Sequence, residues 1–308
     1  MSNTTRRPSA ATFAAVLTVF ALTAFATTSA QTVTVATARG DVAAPANPAV
    51  VFSYDYDAID TLTVLGVAVD GAPPLAGVVP AWAQLDVLNI GSLFEPDYEV
   101  VNAEQPGLIV VGGRSAAAHD ELAKLAPTID LSGSGDLLAD IHRNARTLSA
   151  IFGKQAEGEA ALAAIDAKIE SVRAQVSTAD DGMLIMVSGG SLSVIAPDNL
   201  RGRFLYDVLG LTPTIADVQS ATHGEPISFE FLLEHDPQWV FVIDRDAAIG
   251  TEGAQPAAAV LDNELMRNTT AWKDGNVVYL NPFNWYIVLG TGLSTANAML
   301  DEVAAAFQ

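Results

Sequence analysis

One segment of this sequence occurs twice. Residues 99–114, EVVNAEQPGLIVVGGR, align without a gap on residues 230–245, EFLLEHDPQWVFVIDR. Each copy opens on glutamate (Glu99, Glu230), carries proline seven residues later (Pro106, Pro237) and ends on arginine (Arg114, Arg245). Between proline and arginine lies a continuous apolar run, the pattern of a strand buried on both faces of a parallel sheet. Upstream, LTVLGV (62–67) answers YDVLGL (206–211) at a slightly different offset. Two copies of one helix–strand unit predict two α/β lobes.

The stretch between the copies says how the lobes are joined. In GDLLADIHRNARTLSAIFGK (135–154) apolar residues fall at 137, 138, 141, 145, 148, 151 and 152, which is helical spacing. The expected organisation is an N-terminal lobe over 31–135, one linking helix over 136–154 and a C-terminal lobe over 155–308. Each lobe should hold a mostly parallel sheet flanked by helices. A single helix bends less than a pair of strand hinges, so only modest lobe closure is expected. Ligands of open parallel sheets sit outside the carboxyl ends of the strands. Arg114 and Arg245 occupy those ends, so facing lobes would bring both onto one cleft, there to hold an anion.

Charge narrows the partners. The chain has 36 acidic and 15 basic residues, a net charge of −21. That excludes a nucleic-acid binder, which needs a basic face, and an anionic lipid surface. The acid excess serves solubility, and it makes arginines at strand ends the more informative. Residues 1–30 read as an export signal: Arg6 and Arg7, an apolar core over 11–25, then small residues before a cleavage expected after Ala30. The core is too short to span a membrane comfortably. The sequence contains no cysteine, so neither disulfides nor a lipidated cysteine are expected, and a soluble exported chain points to a periplasm. Phosphate-loop, HExxH and GxSxG motifs are absent from the sequence, and LGTGLST (289–295) reads as the start of the closing helix. No enzyme is expected.

Seven segments, in their order and spacing, carry a family resemblance: LTVLGV, GSLFEPDYEVVNAEQPGLIVVGGRS, LAPTIDL, RTLSAIFGK, GRFLYDVLGL, THGEPISFEFLLEHDPQWVFVIDRD and FNWYIVLGTGLST. With them the sequence resembles periplasmic ferric-siderophore binding proteins of ABC importers, the class in which a helix links two lobes. Within it, the sequence is most similar to the branch for catecholate siderophores of the petrobactin and enterobactin type. The resemblance implies that Arg114, Arg203 and Arg245 form a basic triad around the iron–catecholate complex. Arg203 is preferred to Arg201 because Arg-Phe ahead of DVLG matches the family's usage. It implies that His223 and Tyr286 complete the iron shell when the siderophore is tetradentate. Iron(III) would arrive as cargo, with no intrinsic cofactor. The partner would be a permease in the inner membrane, met by a monomer through Glu99 and Glu230, one acid per lobe, with Glu95 a competitor in the first.

The chemistry of these residues suits that expectation. A ferric catecholate is oxygen-rich and anionic; arginine is permanently charged, planar and able to donate to several oxygens or stack on a ring. An Arg–anion contact near 4 Å supplies roughly 4 kcal/mol at an effective dielectric near 20, before desolvation is subtracted. Iron(III) accepts phenolate oxygen and imidazole nitrogen. Without the resemblance, other readings stand: each arginine paired with a carboxylate, His223 as a loop or capping histidine, Tyr286 as a packing ring beside Trp285. Glu99 and Glu230 each follow a plausible helix cap, Asp97 and Ser228, where an acid answers the helix dipole. Haem, a corrinoid or a hydroxamate siderophore are alternative cargoes, and an exported hydrolase is the alternative class.

Overall fold

The structure is a computed structural model that describes residues 1–3, 31–75, 83 and 86–308. Of the export signal expected over residues 1–30, residues 4–30, and with them the expected cleavage site, lie outside the described residues.

Residues 32–45 form a hairpin. β1 (Thr32–Thr37) pairs antiparallel with β2 (Gly40–Pro45). The first lobe follows: β3 (Val51–Ser53), α1 (Tyr56–Val64), β4 (Gly71–Ala72), β5 (Leu88–Asn89), α2 (Tyr98–Glu104), β6 (Leu108–Val111), the short α3 (His119–Leu122) and β7 (Thr128–Asp130). Its five strands are all parallel in the order β5-β4-β3-β6-β7. α4 (Leu137–Ile151) and α5 (Gln155–Val176) come next.

The second lobe contains β8 (Gly182–Ser188), β9 (Ser191–Val194), β10 (Glu225–Ile227), α6 (Phe229–His235), β11 (Trp239–Asp244), α7 (Arg245–Ile249), three short helices α8 (Ala257–Leu261), α9 (Glu264–Arg267) and α10 (Thr270–Asp274), then β12 (Val277–Tyr279) and α11 (Leu293–Ala306). The strand order is β10-β9-β8-β11-β12. β8, β11 and β12 are parallel; β9 and β10 add an antiparallel edge. A two-residue turn joins β8 to β9, and so short a link permits only antiparallel pairing. Both sheets are therefore mostly parallel and flanked by helices, as the repeat predicts.

The repeat extends to the helix caps. Asp97 caps α2 by accepting the amides of Glu99 and Val100; Ser228 caps α6 by accepting that of Phe231. Both helices end on a left-handed residue, Gln105 (φ 47°) and Asp236 (φ 41°). Each unit then delivers a buried strand whose carboxyl end carries Arg114 or Arg245.

α4 serves two cores, which explains its unbroken periodicity. Asp136 caps it. Leu137, Ile141 and Ala145 pack with the second lobe, Leu148, Ile151 and Phe152 with the first. Each fully buried Leu or Ile side chain contributes about 1.5–3 kcal/mol, so the helix is anchored at both ends. A second tie joins the lobes. α11 begins at Gly292, which has no side chain to cap it, and α1 of the other lobe supplies the acceptors. Asp57 Oδ1 accepts the amides of Thr291 and Gly292, both at 2.8 Å; Asp60 accepts the Thr295 amide at 2.8 Å and the Ser294 hydroxyl.

Candidate functional site

A cleft of about 500 Å³ opens between the lobes. Tyr54, Asp55, Asp57 and Arg114 line it from the first lobe, Arg201, Thr222 and Ile287 from the second. A larger depression of about 760 Å³ runs along the outer face of α4 and contains none of the candidate residues.

Tyr286 is the centre on which the candidates meet. It lies in a short, widely wound helical turn, Phe283–Val288, whose side chains divide between the two cores: Phe283 and Val288 to the first, Trp285 and Tyr286 to the second. Arg114 reaches across from the end of β6 and donates to the carbonyls of Tyr286 (2.8 Å) and Ile287 (2.7 Å). Arg245, at the end of β11, donates from Nε to the Tyr286 hydroxyl at 2.8 Å and from Nη1 to Ser188 Oγ at 3.2 Å. The two repeat arginines therefore meet on one residue, as two facing strand ends require.

The third arginine in the cluster is Arg201. Its guanidinium stacks over the Tyr286 ring, 4.5 Å from the centroid, and Nη1 donates to Thr222 O at 2.9 Å. Arg203 points elsewhere: its Nε donates to Asp198 O at 3.1 Å, and its Nη1 would lie 3.2 Å from a Cβ added at Gly135. The preference for Arg203 over Arg201 is thus not matched by the geometry. Asn199 makes the difference, because its side-chain oxygen accepts the Arg201 amide at 3.0 Å and turns that residue inward. Arg203 falls beyond the turn, next to the helical segment that begins at Phe204.

His223 stands beside Tyr286, ring centroids 6.2 Å apart and planes inclined by 24°. Its turn is tied to the Arg201 loop, since Asn199 Nδ2 donates to Ala221 O at 2.8 Å. Gly224 follows it at φ +80°, where an added Cβ would sit 2.6 Å from Val194 O, so the chain needs glycine to lie this close to β9.

The electrostatics follow from the crowding. Burial first, then the charges of Arg114 and Arg245, lower the Arg201 pKa; the Tyr286 phenol works the other way. Desolvation, then Arg201, Arg245 and Arg114, lower the pKa of His223, which favours its neutral, electron-donating form. Arg201 Nε is buried without a hydrogen-bond partner.

With two lobes, a helix between them and charged groups converging on the cleft, the comparison with known proteins is decisive. The profile of the periplasmic binding protein family matches residues 51–282. The chain belongs to that family. It is 32% identical over 265 residues to the petrobactin-binding protein YclQ of Bacillus subtilis, covering 84% of this chain and 82% of that one. Among solved structures it is similar to a TroA-like periplasmic binding protein from Xylanimonas cellulosilytica, at 46% identity and TM-score 0.81, covering 86% and 91% of the two chains. It is also similar to the catecholate-siderophore binding protein VctP of Vibrio cholerae, at 31% identity and TM-score 0.82, covering 89% and 100%.

In this periplasmic binding protein Glu99 and Glu230 are exposed in the first turns of α2 and α6. Glu95, also exposed, lies before the Asp97 cap. The pKa of Glu230 is lowered by its own backbone amide and the Ser228 hydroxyl, as helix position alone accounts for. No helix among the described residues is long and apolar enough to cross a membrane. The one basic residue assigned differently by sequence, Arg201, had a readable signal: asparagine two positions ahead and glycine directly after are turn chemistry.

Proposed function

We propose that this periplasmic binding protein captures a ferric siderophore of catecholate type between its lobes and hands it to an ABC importer. The observation that carries the reading is the gathering of Arg114, Arg201 and Arg245 around Tyr286 and His223 in a chain of net charge −21. Burial first, and then the like charges of Arg114 and Arg245, lower the Arg201 pKa, so its charge stands at a cost. A bound polyanion relieves it, and the buried Arg201 Nε supplies a waiting donor.

Tyr286 and His223 offer a phenol oxygen and an imidazole nitrogen to iron whose siderophore is tetradentate. Iron comes as part of the cargo. The names of the relatives support the reading: YclQ binds petrobactin, VctP a catecholate siderophore, and FatB of Vibrio anguillarum, which is 30% identical over 273 residues, ferric anguibactin. Export to the periplasm, action as a monomer and the absence of turnover complete the reading.

The test is calorimetric titration with ferric complexes of tetradentate and hexadentate catecholamides, ferric hydroxamates and haem. His223→Ala and Tyr286→Phe are each expected to weaken the tetradentate complex by about tenfold or more while sparing the hexadentate one, since each removes a single metal donor. Tighter binding of a hydroxamate or haem would move the cargo to that class. Glu99→Arg and Glu230→Arg should leave affinity unchanged and abolish uptake in cells, because the docking reading pairs each acid with a basic group of the permease, and reversing the charge turns attraction into repulsion. Uptake at the native rate in both variants would remove the docking role.

A further inference from the structure

Tyr286 can serve iron only if its phenol is held in place, and the turn that carries it is unusual. The Leu289 amide donates to Asn284 O, five residues back, at 3.0 Å, a wider winding than an α-helix allows. Asn281 Oδ1 caps the start of the turn by accepting the amides of Phe283 (3.0 Å) and Asn284 (3.3 Å). From α11, Glu302 faces this turn. Its Oε2 accepts the Asn281 amide at 2.9 Å and Trp285 Nε1–H at 3.0 Å; its Oε1 accepts Asn284 Nδ2–H at 2.7 Å. One carboxylate thus fixes the cap residue and the two residues immediately before Tyr286. Trp285, held this way and 1% exposed, packs edge-on against Phe204 at 5.5 Å, so the same anchor supports the segment just after Arg201.

We infer that Glu302 is a positioning residue for Tyr286, fixing through three hydrogen bonds the turn that carries the phenol behind the cleft-lining residues Ile287 and Val288. The inference rests on the reading of Tyr286 as an iron donor. A charged acceptor makes hydrogen bonds about twice as strong as a neutral one. A donor atom must be held within about 0.5 Å of its working place by the groups behind it. Arg114 restrains the carbonyls of residues 286 and 287 from the other lobe, and Glu302 restrains residues 281, 284 and 285 from behind. The phenol lies between two clamps.

The test compares Glu302→Ala, Glu302→Gln, Tyr286→Phe and the double variant Glu302→Ala/Tyr286→Phe, each in the full chain. The probes are the ferric complex of a linear bis(catecholamide), which leaves iron sites open, and that of a tripodal tris(catecholamide), which leaves none. Glu302→Ala is expected to weaken the first by about 10- to 100-fold and to leave the second within about threefold, the size of effect usual for groups that orient a metal ligand. The phenolate-to-iron charge-transfer band should fade as it does in Tyr286→Phe, and the double variant should bind no more weakly than Tyr286→Phe alone. Glu302→Gln keeps one acceptor and turns a donor either against the Asn284 side-chain amide or against both the Asn281 amide and the Trp285 indole, so a smaller loss in the same direction is expected even if the alanine variant does not fold. Equal losses for both complexes, or losses that add in the double variant, overturn the positioning role. Native-strength binding of the bis(catecholamide) complex by Tyr286→Phe would remove the donor reading of Tyr286 itself, and the positioning role with it.

Discussion

Arg201→Ala is expected to weaken binding of a ferric catecholate by about 10- to 150-fold, and Arg203→Ala to leave it within about threefold, the difference between losing and keeping a charge-assisted hydrogen bond worth about 1.5–3 kcal/mol. The two arginines stand two positions apart and have opposite surroundings. Arg201 is buried, sits over the Tyr286 ring and keeps Nε free of any protein partner. Arg203 is spent on the Asp198 carbonyl beside Gly135. Arg201→Lys should fall between, because lysine keeps the charge but loses the planar face that rests on the ring and the fork that grips two oxygens. The loss should persist at high salt, since the group is buried and therefore poorly screened. Calorimetric titration decides it. A large loss in Arg203→Ala with none in Arg201→Ala would return the role to Arg203 and require the 198–203 turn to rearrange around the ligand.

That contrast also marks where sequence reasoning runs out. The repeat carries its information in apolar runs and cap residues, which act locally, so helix α2, strand β6 and their partners α6 and β11 follow from it down to the Asp97 and Ser228 caps. The placement of Arg114 and Arg245 at facing strand ends is legible for the same reason. Whether Arg201 or Arg203 turns inward depends on one side-chain-to-backbone bond from Asn199, and periodicity does not register a single bond. The turn over Phe283–Val288 follows the second sheet in the chain, yet it shares its apolar side chains between both cores. The tie between α1 and α11 joins groups 234 and 235 residues apart through aspartates and backbone amides. Backbone amides look alike in every sequence, so an acceptor serving them from the far end of the chain leaves no pattern to find. Glu302 is hidden in the same way, as one half-buried acid on an otherwise ordinary closing helix.

The α1–α11 tie sets the second large expectation. Thermal stability should rise as pH falls from neutrality toward 3.8, the ordinary carboxyl value, and Asp57→Asn should remove most of that rise. Burial first, then the neighbouring Asp55 carboxylate, push the pKa of Asp57 well above its ordinary 3.8, despite the amides of Gly292 and Thr291 that favour its charge. Burial raises Asp60 as well, opposed by its bonds to Ser294 and Thr295. Asp55 is raised by burial, against the amides of Ala58 and Asp57 and the charge of Arg114. A carboxyl whose folded pKa is raised binds more protons in the native state than in the unfolded one. Its stabilising contribution is complete below 3.8 and is lost as pH climbs through the folded value. Asp130 has the opposite sign. Burial alone would raise it, but Ser132 and Arg39 hold it below 3.8, so its contribution is present above that pH and disappears as pH falls through the lowered value. Stability should therefore peak in the mildly acidic range and collapse below it. In Asp57→Asn the amide oxygen still accepts from Thr291 and Gly292, with no charge to desolvate. The variant should gain about 1 kcal/mol or more at pH near 7.5, a rise in Tm of about 2–4 °C for each kcal/mol, and gain nothing near pH 4. Calorimetric melting across that range tests it: an Asp57→Asn chain with the native pH slope would place the extra protons on other groups and leave α1 and α11 joined through an ordinary charged carboxylate.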